Sequence, residues 1–155
     1  MSDPTRSGGI LLFNGSTANN LQILVAHPGG PFFKKRDCGW WSLPKGEPED
    51  NEEMFDAALR EFKEETGMDT IGPYIDLGTI IQKNGKKVFA WACKGEWPVG
   101  KLPECNKITL EYPKGSGKTW TFPEIDEVRM LPVEEARKKL KDDQHPFLDR
   151  LIEKL

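Results

Sequence analysis

Three glutamates, Glu61, Glu64 and Glu65, stand at spacings of three and four in a segment whose apolar residues repeat with a helical period. At about 100° per residue, Glu61 and Glu65 lie one turn apart and Glu64 lies three positions from Glu61, so the carboxylates share one side. Like charges at these spacings cost about 0.2 to 0.5 kcal/mol per pair in an isolated helix, the wrong sign for stability. A hard divalent cation reverses that sign, because magnesium and calcium prefer several carboxylate oxygens held together. From Gly46 to Gly67 there are nine acidic residues against two basic ones, Arg60 and Lys63. A solvated helical face is the competing reading of any such acid run, and the flanking residues decide between the two.

The flanking string is Gly46, five residues, Glu52, seven residues, then Arg60-Glu61-Phe62-Lys63-Glu64-Glu65-Thr66-Gly67-Met68. It resembles the box of the Nudix hydrolases at every defined position. The similarity is nearest to the branch of diadenosine polyphosphate hydrolases and MutT-like enzymes. The resemblance implies an α+β fold, the Nudix α-β-α sandwich with a mixed sheet, in which the box forms loop, helix and loop. It also implies hydrolysis of a phosphoric anhydride bond with Mg2+, or Mn2+ in its place. Carried onto this sequence, the metal set is Glu61, Glu64 and Glu65 with the backbone carbonyl of Gly46. Arg60, supported by Glu52, fixes carboxylate orientation. A pyrophosphate repels water, so the chemistry needs cations on its oxygens and a carboxylate to take the attacking water's proton. Glu61 and Glu124 compete for that role. Glu124 is preferred, since Phe122-Pro123-Glu124 brings an acid to a strand end after a proline-limited turn.

The phosphate chain needs cations of its own. Lys45, immediately before Gly46, and Lys34 and Arg36 of the Lys34-Lys35-Arg36 cluster are the candidates, with Lys83, Lys86 and Lys87 a more distant set. Trp41 is the chosen base-stacking ring, with Trp40, Trp120, Phe32 and Phe33 as alternatives. Pro44-Lys45-Gly46 is similar to the approach to the box in diadenosine polyphosphate hydrolases, where many nucleotide-sanitising relatives have P-G-G. The expected substrate is thus a nucleoside diphosphate linked to another group, best a dinucleoside polyphosphate such as diadenosine tetraphosphate. The alternatives are a nucleoside triphosphate pyrophosphohydrolase, a diphosphoinositol or sugar-nucleotide hydrolase, or a non-catalytic nucleotide sensor. An isomerase on the same fold would want a reactive cysteine, for which Cys38 has no supporting motif.

The elements that must position these groups are legible in outline. Residues 9–13 and 21–26 are short β-rich apolar runs separated by a turn-like segment and read as adjacent strands. Trp40 to Leu43 reads as a further short strand stopped by Pro44. From Asp50 to Thr66 the period turns helical, with Phe55, Ala58, Leu59 and Phe62 on one core-facing stripe. Asp50 with Glu53 suggests a capping box and Gly67 a left-handed stop. Asn84-Gly85 suggests a type I′ hairpin between residues 74–82 and 87–93. A second hairpin is expected from 108–112 to 118–122, then a strand near 128–131 and helices near 133–141 and 146–154.

At 155 residues the chain suits one domain, 1–155. No apolar run approaches the roughly 18 residues of a membrane-spanning helix, and residues 1–6 lack the organisation of a secretory signal. A cytoplasmic location is expected. Three cysteines without C-x-x-C spacing point to reduced thiols and not to zinc. The net charge of −3 argues against a nucleic-acid polymer as partner. The expected partner is a small-molecule nucleotide, with no membrane, and the protein a monomer or homodimer.

Overall fold

A mixed sheet organises the chain. In a computed structural model, which describes residues 5–155, its strands are β1 (Arg6–Asn14), β2 (Gln22–Pro28), β3 (Lys45–Gly46), β4 (Ile75–Ile81), β5 (Lys87–Lys94) and β8 (Ile125–Pro132). Met1 to Pro4, part of the N-terminal stretch read for a signal and of the 1–155 domain span, lie outside the described residues. The order is β4-β5-β1-β2-β8, with β3 pairing antiparallel to β1 at Gly8 and Gly9. The central strand β1 runs parallel to β5 and antiparallel to β2, and its Ser7 to Phe13 are buried. That explains its unbroken apolar run, since a strand covered on both faces has no polar face to alternate with.

Alternate residues feed two cores. Leu11, Phe13, Ile23 and Val25 pack with Phe147, Leu148 and Leu151 of α3 (His145–Lys154) and with Val133 and Ala136 of α2 (Val133–Lys139). Ile10, Leu12, Leu24 and Ala26 pack with Ala58 and Phe62 of α1 (Met54–Thr66). Helices thus cover both faces of the sheet, the α-β-α sandwich of an α+β fold. A second, two-stranded sheet joins β6 (Lys107–Glu111) to β7 (Thr119–Pro123), and its last residue leads directly to Glu124.

Several local expectations are corrected. Helix α1 starts at Met54, not Asp50: Asn51 takes φ 64°, outside helical space, and Glu53 becomes the N-cap without a side-chain cap bond. Freed from a capping role, the acids before it bond elsewhere, Glu52 to Arg60 above all. Of the apolar stripe, Ala58 and Phe62 are fully buried, while Phe55 and Leu59 sit at its margin. The C-terminus ends as its sequence suggests, with Gly67 at φ 83° and its N–H donating to the carbonyl of Lys63 at 2.7 Å.

The β4–β5 turn is not type I′. Only Gly85, at φ 88°, is left-handed there; Asn84 is not. The N–H of Gly85 donates to the carbonyl of Gln82 at 2.8 Å and that of Gln82 to Lys86 at 2.9 Å, which closes a three-residue loop. Trp41 and Ser42 make only isolated bridges, to Leu140 and Ala26, and the paired strand lies past Pro44 at Lys45–Gly46. Helix α2 ends at Lys139, two residues before the expected 141, and a short 3-10 turn, Asp142–Gln144, precedes α3.

Candidate active site

Strand β3 brings Lys45 and Gly46 against β1, and α1 crosses beside them, so the box loop and the box helix face one another. Gly46 is tightly opposed: a Cβ built there would lie 2.1 Å from Cδ of Glu61 and 2.3 Å from its Oε2. Only a residue without a side chain lets the Glu61 carboxylate rest on the β3 backbone. One turn on, Glu65 is buried at 6% exposure beside Lys45. Glu124 arrives from the end of β7. These three acids line a cavity of about 600 Å³ together with Lys45, Lys86, Lys141, Arg60 and Ser7.

Burial dominates the electrostatics of this cavity. It pushes Glu65 well above the usual carboxylate range, and the charges of Glu124 and Glu61 push the same way against the opposing pull of Lys45. Glu61 is also raised, chiefly by burial, although its bond to Arg60 pulls it down while Glu64 and Glu124 repel it. Glu124 is raised by burial and then by Glu64. Lys45 is pushed down to about 8, first by burial and then by its neighbours Lys86 and Lys141. The hydroxyl of Ser7, fully buried in the cavity wall, has no hydrogen-bond partner among the described residues.

Arg60 holds the acids in register. Its Nε and Nη2 form a fork on Glu52 at 3.0 and 2.9 Å, and Nη2 also donates to the carbonyl of Glu47 at 3.0 Å. Nη1 donates to Glu61 at 2.9 Å and Glu64 at 3.1 Å. The guanidinium bonds, with help from the backbone N–H of Glu49, hold Glu52 down at about 2. Such bidentate pairs fix geometry as well as charge.

The donor set suits a hard divalent cation. It offers carboxylate oxygens that are buried and mutually repelled, which an added positive charge would relieve. Among the described residues no three His, Cys, Asp or Glu side chains already converge as ligands, so a bound ion would have to draw the acids together. Glu61, Glu65 and the carbonyl of Gly46 fit that demand. Glu64 stands apart from them: it is bound to Arg60 and faces a neighbouring hollow with Lys63, Glu104, Cys105 and Asn106.

The structure does not bring all the expected substrate contacts to this cavity. Lys45 lines it, but Lys34, Arg36 and Trp41 line a separate, larger one. Trp41 is 3% exposed, with its indole N–H donating to Asp37 at 2.8 Å, while the adjacent Trp40 lines the acid-bearing cavity. Phe33 tilts against Trp40 at 5.9 Å. Trp120 and Phe32 are half exposed and sandwich Tyr112 edge-on, lining neither cavity. Cys38 is exposed and lines neither cavity, Cys93 is buried, and neither thiol makes a side-chain hydrogen bond among the described residues. Sequence reasoning missed Lys141 and Ser7 altogether. Lys141 closes a lysine-rich stretch that reads as helix surface, and nothing in a lone serine before two glycines marks it.

Comparison with known proteins identifies the family and the fold. A family profile for the NUDIX domain matches residues 3–151. A Bacillus subtilis (strain 168) protein described as the uncharacterized Nudix hydrolase YvcI is 39% identical over 59 residues, a match spanning 37% of this chain and 37% of that relative. Among solved structures, the NUDIX domain of Shewanella oneidensis NrtR complexed with ADP ribose is similar with a TM-score of 0.67 at 15% identity. That likeness covers 99% of this chain and 90% of the other. A C. elegans Ap4A hydrolase binary complex gives 0.60 at 18% identity over 94% of each chain. The MutT protein of Methanosarcina mazei Go1 gives 0.61 at 20% identity, over 99% of this chain and 97% of that one. At these identities the solved structures speak for the fold, and the profile match across nearly the whole length, joined to the intact box on α1, makes this chain a member of the NUDIX domain family.

Proposed function

We propose that the chain hydrolyses a phosphoric anhydride bond in a nucleoside diphosphate linked to another group, best a dinucleoside polyphosphate such as diadenosine tetraphosphate. The observation that carries this reading is the cavity in which Glu61, Glu65 and Glu124 face Lys45, Lys86 and Lys141. Acids that repel one another await a cation, and lysines opposite them await phosphate oxygens. The Pro44-Lys45-Gly46 approach to the box favours the dinucleotide class, and a similar fold belongs to a C. elegans Ap4A hydrolase.

Magnesium, or manganese in its place, would supply positive charge at the phosphate oxygens and make the attacking water more acidic. Glu61, Glu65 and the Gly46 carbonyl would hold it, with Glu64 joining from the Arg60 side. Lys45, Lys86 and Lys141 bind the phosphate chain and orient its scissile bond. Ser7 donates its free hydroxyl to a phosphate oxygen. Arg60, anchored on Glu52, positions Glu61 and Glu64. Glu124 takes the proton of the attacking water. Burial raises it and among the described residues no cation bonds to it, whereas Glu61 already accepts a bond from Arg60. An acid raised toward neutral pH is the better base. Trp40 offers its ring to the base. The 1–155 span acts as one domain in the cytoplasm; among the described residues no helix is long and apolar enough to cross a membrane.

The test is a panel of diadenosine tetraphosphate, ADP-ribose and nucleoside triphosphates with magnesium, read by product chromatography. Turnover highest on the dinucleotide is expected, and lost on Glu124→Gln with substrate binding retained. Inactivity across the panel overturns the reading. Preference for ADP-ribose would move the substrate toward the ligand bound by the NrtR domain, and preference for triphosphates toward nucleotide sanitation.

A further inference from the structure

The larger cavity, about 850 Å³, lies on the other side of the Trp40–Trp41 pair and along the free edge of β8. Its charge is opposite in balance to that of the acid-bearing cavity. Six cationic side chains line it, Lys34, Lys35, Arg36, Lys101, Arg129 and Lys139, against three carboxylates. Each carboxylate already has a partner. Asp37 accepts from Lys139 at 2.6 Å and from Trp41, Asp126 bonds Nδ1 of His27 at 2.7 Å, and Glu127 pairs with Arg129. Lys34, Lys35, Arg36 and Lys101 form no ion pair among the described residues, although the last two lie over the Trp40 and Trp97 rings at 5.0 and 5.1 Å. Four unneutralised cations converging on one hollow are unexpected in a chain whose net charge is −3. Trp97, Val128, Met130 and Leu102 add an apolar wall.

We infer that this cavity is a second binding site, for a phosphorylated small molecule whose phosphates meet Lys34, Arg36 and Lys101 and whose ring or apolar body rests on Trp97 and Met130. The catalytic cavity carries four cationic side chains against five carboxylates, so it repels an anion until a divalent ion is bound. The second cavity has its positive excess without any metal. The two sites therefore respond oppositely to chelation, and binding at the second needs no turnover at the first. An inactive enzyme that still binds would separate the failure of the proposed reaction from the failure of this inference.

The experiment is titration of the full chain with ADP in EDTA, followed by calorimetry and by tryptophan emission, since Trp41 and Trp97 stand in the wall. Saturable binding is expected, weakened about tenfold or more by Lys101→Glu or Arg36→Glu, the scale of one charge-assisted hydrogen bond. Lys141→Glu, in the catalytic cavity, should leave it unchanged, and thermal melts confirm that each variant is folded. Absence of ADP binding in EDTA overturns the inference. So does binding that Lys141→Glu abolishes and Lys101→Glu leaves intact, because the nucleotide would then occupy the catalytic cavity.

Discussion

Replacing Gly46 by alanine isolates the contact on which the site geometry turns. The new Cβ would stand 2.1 Å from Cδ of Glu61, where ordinary contact begins at 3.4 Å, so the carboxylate must retreat by about 1.3 Å. Gly46 is not among the positive-φ residues, so alanine brings no backbone strain, and the atoms that must move belong to the end of a flexible side chain. Stability should change by no more than about 1 kcal/mol, since the displaced Glu61 loses one partly exposed bond to Arg60. Turnover is another matter: a misplacement of about 1 Å at a reacting centre can cost about 100-fold, or about 2.7 kcal/mol of barrier. The assay is steady-state hydrolysis with magnesium beside thermal melting, for Gly46→Ala, Glu61→Gln and the double variant. If the glycine acts through Glu61, the double variant is scarcely worse than Glu61→Gln alone. Full activity in Gly46→Ala, or effects that multiply in the double variant, would show that the glycine does not act through Glu61.

Other consequences follow from the same charges. Glu52, held by Arg60 at about 2 against an ordinary 4.5, contributes stability that is complete above about pH 4.5 and lost as pH falls through 2; Glu52→Gln should flatten that part of the melting-versus-pH curve. Lys45, lowered to about 8 from 10.5 by burial, must lose its charge as pH rises through 8, so kcat/KM should decline above that pH in the wild type and later in Lys45→Arg. Its effect on stability has the opposite sign, because the unfolded lysine binds the proton more tightly and the fold gains from about pH 8 to 10.5. Ser7→Ala should raise KM with little change in melting temperature, its hydroxyl having no partner among the described residues to lose.

Much of the frame was legible because local patterns agreed with the tertiary demand. The helical period around Phe62, the stop at Gly67 and the apolar run of β1 all report burial directly. The start of α1 misled because Asp50 and Glu53 mimic a cap, while Asn51 turns the chain out of helical space. The site divides in the same way. Lys45 is next to Gly46 in sequence and so next to Glu61 in space. Lys34 and Arg36 looked equally near, but they sit beyond Trp41, whose ring turns to the other side of the pair formed with Trp40. Lys141 reaches the acids only because the chain after α2 returns past Trp41, whose carbonyl accepts its N–H. No local pattern encodes that return.

In the proposed reaction one face of α1 and the β3 backbone capture a divalent ion. Manganese binding followed by electron paramagnetic resonance, on the wild type and Glu65→Gln at matched protein concentration, tests it without any substrate. Saturable binding in the wild type, weakened at least about tenfold in a Glu65→Gln protein that melts no lower in EDTA, is the predicted result. Equal manganese affinity in the two proteins would contradict it.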